Sequence, residues 1–136
     1  MFVLDASSAL AICFEDEHGD AGVAELIARL QVDAAIAPAV WALKIANGVR
    51  TAVLRGRITA NELPRIRCLI ERLPVVLVDL DTPAATGEVL DLALEHGLTA
   101  YDAAYLDLAM RRGLPLATAD ERLRAACRTA GVTLVG

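Results

Sequence analysis

Short apolar runs alternate along this chain with longer stretches whose apolar residues recur every three or four positions. Residues 1–4 are apolar and stop at Asp5, which predicts a strand. Ser7 and Ser8 stand where they could cap a short helix reaching about residue 14. Val23, Leu26, Ile27 and Leu30 give residues 20–30 helical spacing. Residues 34–37, ended by Pro38, predict a second strand. Trp41, Ile45, Val49 and Val53 form one stripe within a helix over 39–54. Thr59 followed by Glu62 is a capping-box pattern that opens a helix to residue 72. Residues 75–78 are the clearest strand. Thr82-Pro83 opens a helix that Gly97 closes, and the helix over 99–112 is closed by Gly113. A strand at 116–118, a helix over 120–130 and a strand at 132–135 complete the chain.

Strands alternating with helices, with no hairpin signals, predict an α/β fold with a parallel sheet covered on both faces. Two helices between some strands depart from simple double winding. The length of 136 residues, without repeats, low-complexity tracts or linkers, suits one domain over 1–136. A hydrophobic content of 56% supports a proper core. No apolar run is long enough to span a bilayer. An acid at position 5 comes too early for a signal peptide, so a cytoplasmic protein with no membrane partner is expected. Cys13, Cys68 and Cys127 are odd in number and form no C-x-x-C pair, and read as reduced, mostly buried thiols.

The net charge of −5 argues against a generic polycation for nucleic acid, but the charge is unevenly spread. Residues 1–49 sum to −5 and 73–136 to −4, whereas 50–72 sum to +4 through Arg50, Arg55, Arg57, Arg65, Arg67 and Arg72. Such a segment can meet phosphates or an acidic partner; its plainer reading is a solvated helix face.

Three acids fall at equivalent places. Asp5 follows the first strand, Asp120 follows the strand at 116–118, and Asp102 lies in the first turn of the helix starting near Thr99. Parallel strands end on one edge, where ligands bind. Clustered carboxylates need protons or cations to coexist, and hard oxygen ligands suit Mg²⁺ or Mn²⁺. Such an ion can activate water and stabilise charge on a phosphate. Each acid also has a structural reading as a helix cap. His18 and His96 read as structural, Asp107 as a residue of an outer helix face, and residues 15–17 as a solvated acidic loop. Neither serine has a histidine at recognisable spacing, and no phosphate-binding glycine motif is present.

Four segments resemble the PIN-domain family: Val3-Leu4-Asp5-Ala6-Ser7-Ser8-Ala9-Leu10, Ala37-Pro38-Ala39-Val40-Trp41-Ala42-Leu43-Lys44-Ile45-Ala46-Asn47, Leu98-Thr99-Ala100-Tyr101-Asp102-Ala103-Ala104-Tyr105-Leu106, and Leu116-Ala117-Thr118-Ala119-Asp120. They occur in the family's order and span essentially the whole chain. The subgroup that the chain is most similar to is the VapC-type toxins. The resemblance implies a three-layer α/β/α fold with five parallel strands. It implies an endoribonuclease, dependent on Mg²⁺ or Mn²⁺, that cuts structured RNA such as tRNA or rRNA loops. Asp5, Asp102 and Asp120 would be the catalytic metal ligands, with Ser7, Asn47 and Thr118 as supporting residues. A homodimer, a VapB-like antitoxin that plugs the site, and operator DNA reached only through the antitoxin complex are implied as partners. Arg50, Arg55, Arg57, Arg65 and Arg67 would then face RNA or the antitoxin.

Position 44 departs from the pattern. The family has a metal-binding glutamate there; this chain has Lys44, its only lysine beside twelve arginines. Glutamate and lysine codons can differ by one base. Lys44 therefore reads as an inactivating substitution, engineered or selected against a harmful activity, or as the mark of a degenerate copy. An ammonium at 4 Å from a carboxylate attracts it by roughly 4 kcal/mol at an effective dielectric of 20, before desolvation. The expectation is poor metal binding and slow or absent cleavage. The bland alternative is a lysine with a packed stem and a solvated amine.

Two other readings differ in class. One is a non-catalytic PIN-like module that only binds an antitoxin or RNA. The other is a phosphotransferase or phosphatase using Asp5, but haloacid-dehalogenase-type phosphatases need a second acid where Ser7 stands, and Lys44 comes too early for the lysine of a receiver domain.

Overall fold

The computed structural model describes residues 1–136, the side chain of Glu15 excepted. Strands β1 (Phe2–Leu4), β2 (Ala35–Pro38), β3 (Val75–Val78) and β4 (Leu116–Ala117) form one parallel sheet in the order β3-β2-β1-β4. Every residue of β1 and β2 is buried, as expected for central strands covered on both faces. β3 lies at the edge, with Val76 and Leu77 exposed.

The sheet holds four strands where five were expected. Residues 132–135 make a single parallel bridge, Leu134 opposite Leu116. Its hydrogen bonds are Leu116 N to Thr133 O (2.9 Å) and Val135 N to Leu116 O (3.0 Å). The cause lies in β4: Thr118 leaves the ladder to bond Asp5, so β4 offers too short an edge for a longer pairing.

Helices α1 (Ala6–Cys13), α2 (Ala21–Leu30), α3 (Trp41–Leu54) and α4 (Leu63–Arg72) come from the first half of the chain. Asp20 caps α2 by accepting from Gly22 N (2.8 Å) and Val23 N (3.1 Å). The capping box of Thr59 and Glu62 forms around a 3₁₀ turn that leads into α4. α1 and α3 cross so closely at Gly48 that a Cβ there would run into Leu10 Cδ1. The expected helix over 82–97 has three parts: α5 (Thr82–Ala84), a π turn (Ala85–Val89) and α6 (Leu90–His96). It opens at Thr82-Pro83, and Asp81 caps it by accepting from Ala84 N (2.9 Å). Gly97 and Gly113 end α6 and α7 (Ala100–Arg112) in the left-handed conformation that glycine adopts without a Cβ penalty. α8 (Glu121–Ala130) follows β4.

α7 is buried from Ala103 to Ala109, because alanines at 103, 104 and 109 let it settle against β1 and β2. Burying each of Leu106 and Leu108 contributes roughly 2 kcal/mol. Asp107 is therefore not on an outer face: it is buried, and Arg111 Nε donates to it at 2.8 Å. A second, smaller cluster of Cys13, Phe14, Ala52, Ile58 and Ile66 seats α4. Cys13 and Cys127 are buried, but Cys68 on α4 is exposed. No helix is long and apolar enough to cross a membrane.

Candidate active site

The parallel register of β1 and β4 pairs Leu4 with Ala117, so the next residues, Asp5 and Thr118, leave the sheet side by side. Asp5 N still donates to Ala117 O (2.9 Å), which fixes the Asp5 backbone, and its side chain is 1% exposed. Thr118 Oγ1 donates to Asp5 Oδ2 at 2.7 Å. Ser7 Oγ donates to the same oxygen, also at 2.7 Å. Each hydroxyl has one proton, and both are thereby committed, so the 3.3 Å contact between Ser7 and Thr118 is packing. The hydroxyls in turn accept from Ala119 N and Asp120 N, each at 3.0 Å. Ser7 thus serves the carboxylate. It does not cap α1, and neither does Ser8: the cap position is Asp5, which makes no side-chain cap bond.

The other oxygen of Asp5 faces Lys44. Lys44 lies in the first turn of α3, which follows β2, the strand beside β1. Its Nζ is 3.4 Å from Asp5 Oδ1 and 2.7 Å from Asp102 Oδ1. Asp102 is held in the first turn of α7, where its amide donates to Thr99 Oγ1 (3.1 Å). The ammonium also lies 4.9 Å from the centre of the Tyr105 ring. Burial disfavours the charge on Lys44, but the field of Asp5 and the hydrogen bond and field of Asp102 outweigh it. The lysine is consequently held above its ordinary pKa. Burial, and the negative fields of Asp5 and Asp102, push the Tyr105 phenol up as well. The Ala6 backbone draws the phenol back only in part, and the buried Tyr105 hydroxyl has no well-formed hydrogen bond among the described residues.

Asp120 lines the same cavity, of about 630 Å³, as Asp5, Ser7, Lys44, Asn47 and Asp102. One oxygen of its carboxylate, Oδ1, caps α8 by accepting from Leu123 N at 3.0 Å; no hydrogen bond holds Oδ2 among the described residues. Asn47 sits one turn beyond Lys44, exposed and without a hydrogen bond. Of the arginines in the basic segment, Arg57 is paired with Asp16 and Glu17, both at 3.0 Å, and stacks over Phe14. Arg65 meets Glu62 at 3.7 Å. Arg50, Arg55 and Arg67 are exposed and have no acidic partner among the described residues. In the sequence Tyr105 stands out only as part of the segment 98–106. Its place three residues after Asp102, on the same helix face, is the signal that ties it to the site.

The PIN domain family model matches residues 2–129. The chain belongs to the PIN-domain family. No curated protein matches its sequence. Among solved structures, this PIN domain is similar to the crystal structure of PAE2754 from Pyrobaculum aerophilum. The two are 26% identical with a TM-score of 0.67, over 98% of this chain and 90% of that one. PIN domains are generally metal-dependent nucleases, so the donors here can be tested against a divalent ion. They do not fit one. No group of three His, Cys, Asp or Glu side chains among the described residues is placed to hold a metal. The ammonium of Lys44 is bonded to both carboxylates that would have to turn toward the ion.

Proposed function

We propose that this chain is a VapC-type endoribonuclease toxin of a toxin–antitoxin pair, in a form whose metal centre Lys44 impairs. The carrying observation is the position of Lys44 Nζ, at 2.7 Å from Asp102 and 3.4 Å from Asp5. A cation is wanted between these acids, and a side chain already supplies it. An ammonium donates hydrogen bonds but offers no orbital to a water molecule or a phosphate oxygen, so it balances charge without the Lewis acidity that PIN chemistry draws from Mg²⁺ or Mn²⁺. The proposed substrate is structured RNA, tRNA or rRNA, and the proposed partners are a second copy of the chain and a VapB-like antitoxin, with operator DNA reached only through that complex. Of the arginines expected to meet phosphate or the antitoxin, Arg50, Arg55 and Arg67 have no acidic partner among the described residues.

The test is Lys44→Glu, assayed for cleavage of a mixed tRNA and rRNA pool with and without Mg²⁺ or Mn²⁺. The variant is expected to cleave only with the ion and to bind it more tightly than the parent; adding Asp5→Asn should abolish both. Equal metal affinity of parent and variant would overturn the account of Lys44. A second reading is favoured by the contacts of Lys44, which join only Asp5 and Asp102, while Asp120 spends one oxygen on capping α8. On that reading the chain is a binding module only, and the Lys44→Glu variant would remain silent on RNA while still binding it.

A further inference from the structure

The cavity that holds Lys44 has a mouth built unlike its floor. Leu43 and Tyr101 both line it and are 74% and 61% exposed, a poor environment for large apolar side chains without a ligand. Tyr101 precedes Asp102, which Lys44 ties to α3, and it lines the cavity together with Leu43 and Asn47 of α3. The Asn47 amide lies in the same lining with its donor and acceptor both unused. Arg50, one turn further along α3 on the face of Leu43 and Asn47, is exposed and unpaired among the described residues. An aromatic face, an aliphatic neighbour, one free amide and a nearby guanidinium are what an unpaired nucleotide requires: a stacking platform, an edge reader and a phosphate contact.

We infer that Tyr101, Asn47 and Leu43 form a subsite for one unpaired nucleobase, with Arg50 on its phosphate. This deepens the proposed nucleic-acid role by naming the part of the strand that is held, and it operates without any metal. The base lies between Tyr101 and Leu43, and the amide of Asn47 reads its edge. The subsite does not depend on the Lys44 ammonium, whose charge is balanced by Asp5 and Asp102 and two of whose three N–H donors lie on them. A duplex cannot use the subsite, because its bases are already stacked and paired.

The experiment is fluorescence anisotropy on the unaltered chain in EDTA, with labelled oligoribonucleotides that are single-stranded, duplexed, or abasic at every position. Single strands are expected to bind best. Tyr101→Ala should weaken them about tenfold, within the range of one base–aromatic stack, while Tyr101→Phe retains affinity. Asn47→Ala should flatten the differences among the four homo-oligomers. Arg50→Ala should weaken single-stranded and abasic strands alike and reduce the salt dependence. A deoxy strand of the same sequence separates two sources of the base: equal binding assigns the site to any unpaired base, weaker binding to RNA, and both agree with the subsite. Tyr101→Ala binding as tightly as the parent, duplex binding as tightly as single strand, or no binding of any oligonucleotide would each overturn it. Because no cleavage and no ion enter the readout, its failure is separate from a failure of Lys44→Glu to regain activity.

Discussion

Replacing Lys44 by methionine keeps the packed stem and removes only the charge, so its effect measures what the ammonium does for the fold. At an effective dielectric of 20, unit charges 2.7 and 3.4 Å apart attract by roughly 6 and 5 kcal/mol. Most of this is offset by the cost of taking the three groups out of water. Breaking a fully buried pair by deleting one partner costs about 3–5 kcal/mol. Here Asp5 is buried, but Lys44 and Asp102 keep 29% and 20% of their side-chain surface in water, which lowers the figure to about 2 kcal/mol. For a chain of this size that is a fall in Tm of roughly 6–8 °C. Lys44→Glu should fall further in EDTA, because it sets a third carboxylate beside Asp5 and Asp102 with nothing to compensate them. Added Mn²⁺ should then distinguish the forms. An ion at about a hundred times its Kd stabilises the state that binds it by about 2.7 kcal/mol. The glutamate variant should therefore recover most of its loss, while the parent stays flat. Differential scanning calorimetry of the three proteins in EDTA and in millimolar Mn²⁺ gives the comparison. A parent Tm that rises with Mn²⁺ as much as that of the variant, or a methionine variant as stable as the parent, would show that Lys44 is not the site's counter-ion.

Two further outcomes follow from the same geometry. Thr118→Val keeps the shape but deprives Asp5 Oδ2 of one of its two hydroxyl donors and Asp120 N of its acceptor; urea titration should show a loss of about 2 kcal/mol, and a loss below about 0.5 kcal/mol would mean that the network does not hold Asp5. The thiols of Cys13 and Cys127 are pushed up by burial from 9.0 to about 11. A raised folded pKa means that their stability is intact below about pH 9 and is lost as pH climbs toward 11, by at most about 1.4 kcal/mol per pH unit for each thiol. The raised pKa of Lys44 acts in the same direction at higher pH. Urea melts under reductant at pH 8, 9 and 10 should show this slope, shallower in the Cys13→Ala, Cys127→Ala double variant; parallel slopes would exclude the thiols as its source.

Much of the fold was legible because it rests on local signals. The four apolar runs that became strands, the capping box at Thr59 and Glu62, and the glycines at 97 and 113 are each decided within a few residues. What misled was decided at a distance. Asp107 looks like an outward charge until α7 is seen to be covered on nearly every side, where only the pairing with Arg111 makes its burial tolerable. Ser7 has the chemistry of a cap, but the carboxylate two residues earlier competes for the same hydroxyl and wins. The run at 132–135 has the composition of a strand and lacks a partner edge long enough to pair with. Asp5, Asp102 and Lys44 were each visible as candidates. Their meeting depends on β1 lying between β2 and β4, a matter of strand order that no local pattern encodes.

That strand order also explains how a lysine can occupy position 44 among these acids without unfolding the domain. The edge of the sheet brings acids together from chain segments that are remote in sequence, and their repulsion must be compensated before the edge can close. A divalent ion and an ammonium both meet that electrostatic condition. Only the ion also meets the chemical one, because it keeps coordination positions open to water and phosphate, whereas the ammonium offers only N–H donors, two of its three already on Asp5 and Asp102, and no coordination position. Folding and hydrolysis thus make different demands on one position, and a single residue can satisfy the first while forfeiting the second. Tyr101 and Asn47, which line the cavity and make no hydrogen bond to the ion pair, are governed by neither demand. On the proposed reading, recognition of a strand therefore persists where cutting is lost.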